Sequence, residues 1–176
     1  ERFALWTTLT SYGAPSNVHS YIIGADVAYG ATKASNSVLA ILDVNEKKFI
    51  GEWVCPDTTP DELARVAVAL AEWCGGESRC LMIWDGNGPG LLFSREVQKL
   101  RYNRVYRKRD ERNLKADESA TPGYFTGSND EKNILLGEFK GALGREEIIV
   151  PSRGVLMECL QYIWINGKEI APATYS

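Results

Sequence analysis

The sequence predicts one α/β domain built on a mixed β-sheet, and three observations support this prediction. Short apolar runs rich in β-branched residues alternate with stretches that carry helix signals, a pattern typical of α/β folds. Two consecutive runs, at 38–44 and 48–54, flank a polar Asn-Glu-Lys turn and predict an antiparallel hairpin. The length of 176 residues, with 44% hydrophobic and 24% charged residues, fits one globular domain.

Composition also indicates the domain organisation. Residues 1–19 are rich in Thr, Ser, Pro and Gly, which predicts an N-terminal arm or linker ahead of a domain at 20–176. No apolar run approaches the length of a membrane span. The four cysteines form no CxxC pair and the single histidine, His19, lies in the arm, so the pattern does not favour a structural zinc site and His19 is interpreted as incidental.

Two buried strands are predicted at 21–25 and 80–84, and each stops at an aspartate, Asp26 or Asp85. Between them, the capping box Thr59-Pro60-Asp61-Glu62 begins a helix that ends at Gly75-Gly76. This helix would return the chain so that the two strands lie parallel in the same sheet. Asp26 and Asp85 would then emerge side by side at the carboxyl edge, where α/β sheets usually place ligands.

The second half of the chain predicts further helices. Pro89 begins one, with Leu92, Val97 and Leu100 facing inward, and a short strand follows at 105–106. An irregular loop is predicted at 110–127, and Ser128 caps a helix that buries Ile134, Leu135, Phe139 and Leu143. A strand at 147–150, a helix capped by Ser152 and a last strand at 162–165 complete the prediction.

The two strand-end aspartates are the strongest candidates for chemistry. Two carboxylates held a few ångströms apart repel each other, and one takes up a proton unless a cation lies between them. Mg²⁺ prefers oxygen ligands and keeps waters that phosphates can displace. The alternative is that each aspartate only favours the turn after its strand. The glycine-rich turn at 86–90 lacks the Gly-Lys-Ser/Thr end of a phosphate loop, so it indicates either a close approach of backbone or a plain tight turn.

Two segments resemble motifs of the nuclease domain of tailed-phage large terminase subunits. Residues 24–28 (GADVA), followed by a Gly/Ser/Asn-rich loop and a hairpin, resemble the first motif of that family. Residues 84–90 (WDGNGPG) resemble the second, an acidic residue followed by Asn-Gly-Pro-Gly. Residues 123–150, with Lys132 early in a helix, match the family's layout, and the resemblance covers roughly residues 20–170.

The resemblance implies an RNase H-like fold and hydrolysis of double-stranded DNA with two Mg²⁺ or Mn²⁺ ions. It makes Asp26 and Asp85 catalytic residues and metal ligands. Many relatives carry an acidic residue near the position of Asn36, which is neutral here. The family's third carboxylate follows the final hairpin, so it is expected beyond Ser176. We therefore expect weak or no cleavage by residues 1–176 alone.

The candidate DNA contact is a basic window. Seven basic and two acidic residues lie between Arg101 and Lys115, so the window carries five net positive charges; the total is −3, which leaves eight net negative charges elsewhere. Tyr102 and Tyr106 lie among the cations, which suits phosphate binding with base stacking. A solvated helix end and loop would carry the same charges. The residues predicted to bind DNA are Arg101, Arg104, Arg107, Lys108, Arg109 and, further along the chain, Lys132.

As partners, the resemblance implies a terminase ATPase domain on the same full-length chain, the portal and the small terminase subunit, with no membrane. It places the protein in the cytoplasm of an infected or lysogenic bacterial host, where it would cut concatemeric DNA. Three alternatives stay open: another RNase H-like nuclease such as a resolvase or transposase core, an actin-like ATPase or sugar kinase, and a non-catalytic DNA- or portal-docking domain. Val27, where actin-like ATPases usually place glycine, speaks against the second.

Overall fold

The computed structural model describes residues 2–30, 35–107, 121–125 and 127–161, and the backbone of two short strands at 163–165 and 168–170. Contacts divide the chain into two compact units, Glu1–Phe125 and Thr126–Ser176. The first unit holds the sheet with its two packed helices, and the second holds two helices and a small hairpin. No helix among the described residues is both long and apolar enough to cross a membrane.

The first unit is built on a five-stranded mixed sheet. Its strands are β1 Arg2–Leu5, β2 Tyr21–Asp26, β3 Ser37–Asp43, β4 Lys48–Cys55 and β5 Cys80–Trp84. They lie in the order β1-β4-β3-β2-β5, and all neighbouring strands are antiparallel except β2 and β5, which are parallel. The predicted mixed sheet, with antiparallel strands first and a parallel neighbour next, is therefore confirmed.

Two helices pack on the sheet, and their apolar stripes form the core with the inward side chains of the strands. Helix α1 (Pro60–Trp73) begins at the predicted capping box, where the Thr59 backbone N–H donates to the Glu62 carboxylate at 3.2 Å. Its buried stripe is Leu63, Ala64, Ala67 and Ala71. Helix α2 (Gly90–Lys99) buries Phe93 and Val97, whereas Leu92 and Leu100, predicted to face inward, are exposed.

The predicted N-terminal arm contributes to the sheet. Strand β1 pairs with β4, and the Arg2 guanidinium donates to Glu52 at 2.6 Å across that pair. Further along, the Trp73 indole N–H donates to the Gly13 carbonyl at 2.8 Å. These contacts attach the arm to the sheet and to α1. The domain boundary at residue 20 stays a prediction.

The outer edge of β5 is extended by two short segments. Val105 forms a parallel bridge with Met82, in line with the strand predicted at 105–106. Tyr124 forms a parallel bridge with Asp85, beyond the end of β5. The sequence predicts an irregular loop at residues 121–125. These residues instead extend the sheet, since their backbone forms hydrogen bonds with the edge of β5. The rest of that loop lies outside the described residues.

The second unit contains helices α3 (Asn129–Gly144) and α4 (Arg153–Gln161) and a hairpin of β6 (Ile163–Ile165) and β7 (Lys168–Ile170). The predicted caps are present, since Ser128 Oγ accepts from the Glu131 N–H and Ser152 Oγ accepts from the Val155 N–H, both at 3.2 Å. Of the strand predicted at 147–150, a single β-bridge residue, Ile149, is present. The Glu147 N–H instead donates to the Ala142 carbonyl at 2.9 Å, so the chain turns around the end of α3.

Candidate active site at the carboxyl edge of the parallel strands

Asp26 occupies the last position of β2, and the chain beyond it is fixed by the protein. The Ala28 N–H donates to the hydroxyl of fully buried Ser37, at the start of β3, at 3.1 Å. Gly30, with φ of 72°, passes so close to Thr58 that a Cβ would lie 2.7 Å from its carbonyl oxygen. The position of Asp26 is therefore set by a strand before it and a restrained turn after it.

Asp85 directly follows β5 and is restrained on both sides. Its Oδ1 accepts from the Asn87 N–H at 2.9 Å, which closes a turn of the kind that aspartate favours. The Gly86 N–H donates to the Tyr124 carbonyl at 2.6 Å, and the Tyr124 N–H donates to the Trp84 carbonyl at 2.7 Å. A neighbouring backbone segment thus holds the residues on either side of Asp85.

The glycines after Asp85 permit contacts that no other residue would allow. A Cβ on Gly90 would overlap the carbonyl oxygen of Asp85, and a Cβ on Gly86 would overlap the ring of Phe125. Gly88 has φ of 54°, in the left-handed region that favours glycine. Of the two interpretations of this turn, the structure supports the close approach of backbone, and the group approached is the chain's own Asp85.

The two aspartates lie on neighbouring parallel strands. The register pairs Ala25 with Trp84, so Asp26 and Asp85 occupy the next facing positions, about 5 Å apart at the Cα atoms. Side chains at facing positions point to the same side of a sheet, and alternation turns both away from the buried face that carries Ile23. Both residues reach solvent. The carboxylates therefore share one accessible face at the carboxyl edge of the sheet.

The two carboxyl groups lie close enough for their charges to interact. The pKa of Asp26 is raised above its usual value, first because surrounding protein atoms desolvate its carboxylate and second because Asp85 carries a like charge. A divalent cation between them would remove this repulsion. Oxygen-only ligands exposed to solvent are the type that Mg²⁺ and Mn²⁺ favour. Among the described residues, no third acidic, histidine or cysteine side chain joins this pair within ligand distance of one ion.

The predicted DNA-binding residues do not lie together. Arg107 forms bridges with Pro122 and Gly123, the segment that pairs with the chain at Asp85, so it lies near the carboxylate edge. Arg101 follows the C-terminal end of α2, and the Arg104 guanidinium donates to the Glu77 and Ser78 carbonyls at 3.0 Å, near the start of β5. These two arginines therefore belong to the opposite end of the strand.

The remaining predicted contacts divide between two parts of the chain. Lys108 and Arg109 lie outside the described residues. Lys132 is exposed in the first turns of α3, in the second unit. The DNA-binding role of all six basic residues stays a prediction.

A further set of ligand-type side chains lies at the opposite end of the sheet and was not anticipated from the sequence. His19, Asp43 and Glu46 bring one nitrogen or oxygen atom each to within 4.8 Å of one another. A search for closely spaced Cys and His pairs overlooks such a set, because one histidine can act with carboxylates. The usable signal is the hairpin register, which pairs Tyr21 with Asp43 and brings the residues before β2 beside the β3–β4 turn.

Comparison with known proteins gives matches at the level of structure. No protein-family model and no curated protein matches the sequence. The large terminase nuclease of thermophilic phage G20c with bound cobalt is similar over 92% of this chain and 75% of its own, with a TM-score of 0.69 and 17% identity. Its magnesium-bound form is similar over 90% of this chain and 75% of its own, with a TM-score of 0.68 and 17% identity. The large terminase nuclease domain of Thermus phage P74-26 is similar over 88% of this chain and 71% of its own, with a TM-score of 0.64 and 16% identity.

The mixed sheet with an acidic pair at its parallel strands thus has the RNase H-like fold expected from the motifs. More particularly, it is the fold of phage large terminase nuclease domains, which the resemblance at 24–28 and 84–90 predicts. Likeness at this identity establishes the fold, whereas the chemistry depends on the residues of this chain.

Proposed function

We propose that this chain is a metal-dependent endonuclease domain that cuts double-stranded DNA during phage genome packaging. The observation that carries the proposal is the facing pair Asp26 and Asp85 on parallel strands, with the pKa of Asp26 raised by burial and by its neighbour. The fold supports it, since the similar solved structures are terminase nucleases crystallised with cobalt or magnesium.

The donor set fits Mg²⁺ or Mn²⁺. Two carboxylates give oxygen ligands with two negative charges, and their solvent-exposed face leaves room for metal-bound waters and a phosphate. Two ions, when bound, would supply a water activated at neutral pH and stabilise the charge on the leaving oxygen. Residues of the chain would do the positioning: Asn87 orients the Asp85 carboxylate, and the Gly86 and Tyr124 backbones fix the strand end.

The DNA backbone would lie across the edge that carries Arg107. Arg107, within the basic window, pairs with Pro122 and Gly123, and the next residue, Tyr124, pairs with Asp85. Cations beside a metal–carboxylate site attract phosphates and keep the scissile group near the ions. Lys108 and Arg109 directly follow Arg107 in the sequence, so they would add to the same contact.

The wider assignment follows the resemblance. An ATPase domain on the same full-length chain, the portal and the small terminase subunit would be the partners, and concatemeric DNA the substrate. The site of action would be the cytoplasm of an infected or lysogenic bacterium.

Metal binding and plasmid cleavage test this proposal together. We expect Mn²⁺ to bind in titration calorimetry and to bind far more weakly after Asp26→Asn or Asp85→Asn. The full-length protein should cut plasmid DNA with Mn²⁺ or Mg²⁺ and leave it intact in EDTA, whereas residues 1–176 alone should cut it weakly or not at all. If the gene encodes more of the protein than residues 1–176, the full-length protein is the one to assay for cleavage.

The matched control is Glu72→Gln, which removes an exposed carboxylate near the C-terminal end of α1, at the other end of the sheet, and should leave Mn²⁺ affinity and cutting unchanged. Cutting in EDTA, or undiminished cutting by either Asn variant, would contradict a metal-dependent mechanism. DNA binding by the full-length protein without metal-dependent cutting would identify a docking domain instead.

A further inference from the structure

At the end of the sheet opposite Asp26, three side chains from separate parts of the chain meet. His19 precedes β2, Asp43 ends β3, and Glu46 lies in the β3–β4 turn. One ligand atom from each lies within 4.8 Å of the others, so small side-chain adjustments would bring all three to the roughly 3.3 Å spacing of ligands around a tetrahedral zinc ion. The set consists of one imidazole and two carboxylates.

Asp43 is already fixed in orientation. Its side chain is 4% exposed, and its Oδ1 accepts from the Asn45 and Glu46 backbone N–H groups at 2.9 and 3.0 Å. The other oxygen, Oδ2, lies 2.7 Å from Nδ1 of His19. One oxygen therefore stabilises the turn. The second faces the imidazole, where a metal ion could take the place of the proton between them.

The cluster opens into a cavity of about 440 Å³. Its wall is formed by residues 5–8 and Ser16 of the N-terminal segment on one side and by Lys48 of β4 on the other. This volume accommodates an ion with its waters, since one water occupies about 30 Å³ in the liquid. Three protein ligands with the remaining positions open to water is an arrangement that zinc adopts in catalytic sites.

We propose that His19, Asp43 and Glu46 form a second metal site, selective for Zn²⁺ and similar transition metals and separate from the carboxylate pair. Imidazole nitrogen suits zinc, cobalt and nickel, whereas Mg²⁺ takes oxygen ligands. Two carboxylates match the charge of a divalent ion. The Nδ1–Oδ2 distance would have to open only from 2.7 to about 3.3 Å, the edge of a zinc tetrahedron.

Such an ion would join the N-terminal segment to the β3–β4 hairpin. His19 lies at the end of that segment, and the other two ligands lie on the hairpin. The five-residue rise of β2 from Tyr21 to Asp26 separates the two sites by roughly 17 Å. Metal bound here would therefore stabilise the attachment of the segment, whether or not the other edge cuts DNA.

Zn²⁺ titration of the Asp26→Asn/Asp85→Asn variant tests the site without the first pair. We expect one Zn²⁺ per chain, proton release on binding, and a Tm higher by roughly 5–10 °C at a hundredfold excess over Kd. With Co²⁺ as the probe, visible absorption bands should report nitrogen and oxygen ligation. His19→Gln and Glu46→Gln should each lower Zn²⁺ affinity at least about tenfold.

Two variants sharpen the result. Glu138→Gln removes an exposed carboxylate in the second unit and should leave Zn²⁺ affinity unchanged. Lys48→Gln removes a positive charge from the cavity wall and should strengthen binding. Because Glu46 is exposed, Glu46→Gln is expected to fold, and circular dichroism verifies this for every variant. No Zn²⁺ bound by the double Asn variant, or equal affinity after His19→Gln and Glu46→Gln, would overturn the site.

Discussion

The two ends of the central strands β2 and β3 both carry aspartates, but their environments are opposite. Asp43 is buried and fixed by two backbone N–H groups and by His19. Asp26 reaches solvent and lies beside Asp85, whose like charge helps to raise its pKa. One aspartate therefore stabilises the fold that holds it, whereas the charge of the other opposes folding. Repulsion that a cation would relieve is a more specific sign of function than an acidic side chain alone.

The largest expected difference between the two ends of the sheet is in their contribution to DNA affinity. Reversing Arg107, Lys108 and Arg109 to Glu should weaken DNA binding on the order of a hundredfold and lower the salt slope by about three, since three phosphate contacts would be lost. Arg101→Glu, at the other end of β5, is compared with the single Arg107→Glu and should have the smaller effect. Filter binding across a salt series measures both, and equal effects of the two single variants would place the DNA elsewhere.

The turn beside Asp85 should be far less tolerant than the strand beside it. Gly90→Ala puts a methyl group into the Asp85 carbonyl, so we expect a loss of about 3 kcal/mol in the free energy of unfolding and weaker metal binding. Gly24→Ala is the matched control, because a Cβ there meets nothing within 4 Å. Urea denaturation compares the two variants, and similar stabilities would show that the turn adapts.

At the end of the sheet that carries His19, Asp43→Ala should lower the free energy of unfolding by about 2 kcal/mol. Two backbone N–H groups would lose their charged acceptor, and the buried site would lose the partner of His19. Asp43→Asn keeps a side-chain oxygen for the turn and should cost less. The same denaturation series orders the variants, and an Ala variant as stable as the parent would remove the structural role of this carboxylate.

The smallest expected effect is a gain in stability, when Asp26 is replaced by asparagine. Because the pKa of Asp26 is raised in the folded protein, the folded state holds this proton more tightly than the unfolded one, and stability falls as pH rises through that pKa. Asp26→Asn should therefore raise the Tm slightly at pH 7, without added metal. This advantage should vanish below the ordinary aspartate pKa of about 4. Thermal melts at several pH values measure the difference, and a lower Tm for the variant at pH 7 would contradict it.

Local patterns predicted most of what positions the carboxylate pair. Asp26 and Asp85 each end a short apolar strand, and the helix between the strands requires a crossover that makes them parallel. The capping box at Thr59 marked the start of that helix correctly. These features depend on residues close in sequence and on one general rule of chain topology, which is why they could be anticipated.

Helix faces were harder to predict. Leu92 and Leu100 are 46% and 40% exposed, whereas Phe93 is fully buried and packs against Trp84, with ring centroids 5.1 Å apart. Likewise, Ile134 and Leu135 of α3 are exposed by 60% and 44%. An apolar residue on a short helix does not determine which face is buried, because that depends on packing partners distant in sequence. The His19 cluster was missed for a related reason, as it depends on pairing across 24 residues.

The pairing of Arg107 with Pro122 and Gly123 has a consequence for sequence variation. Where two chain segments are joined at a sheet edge, the entropy of closing the loop between them changes slowly with its length, by roughly 0.6 kcal/mol per doubling. We therefore expect changes in chain length between these anchors to leave β5 and Asp85 in place, because the pairings on either side hold the edge.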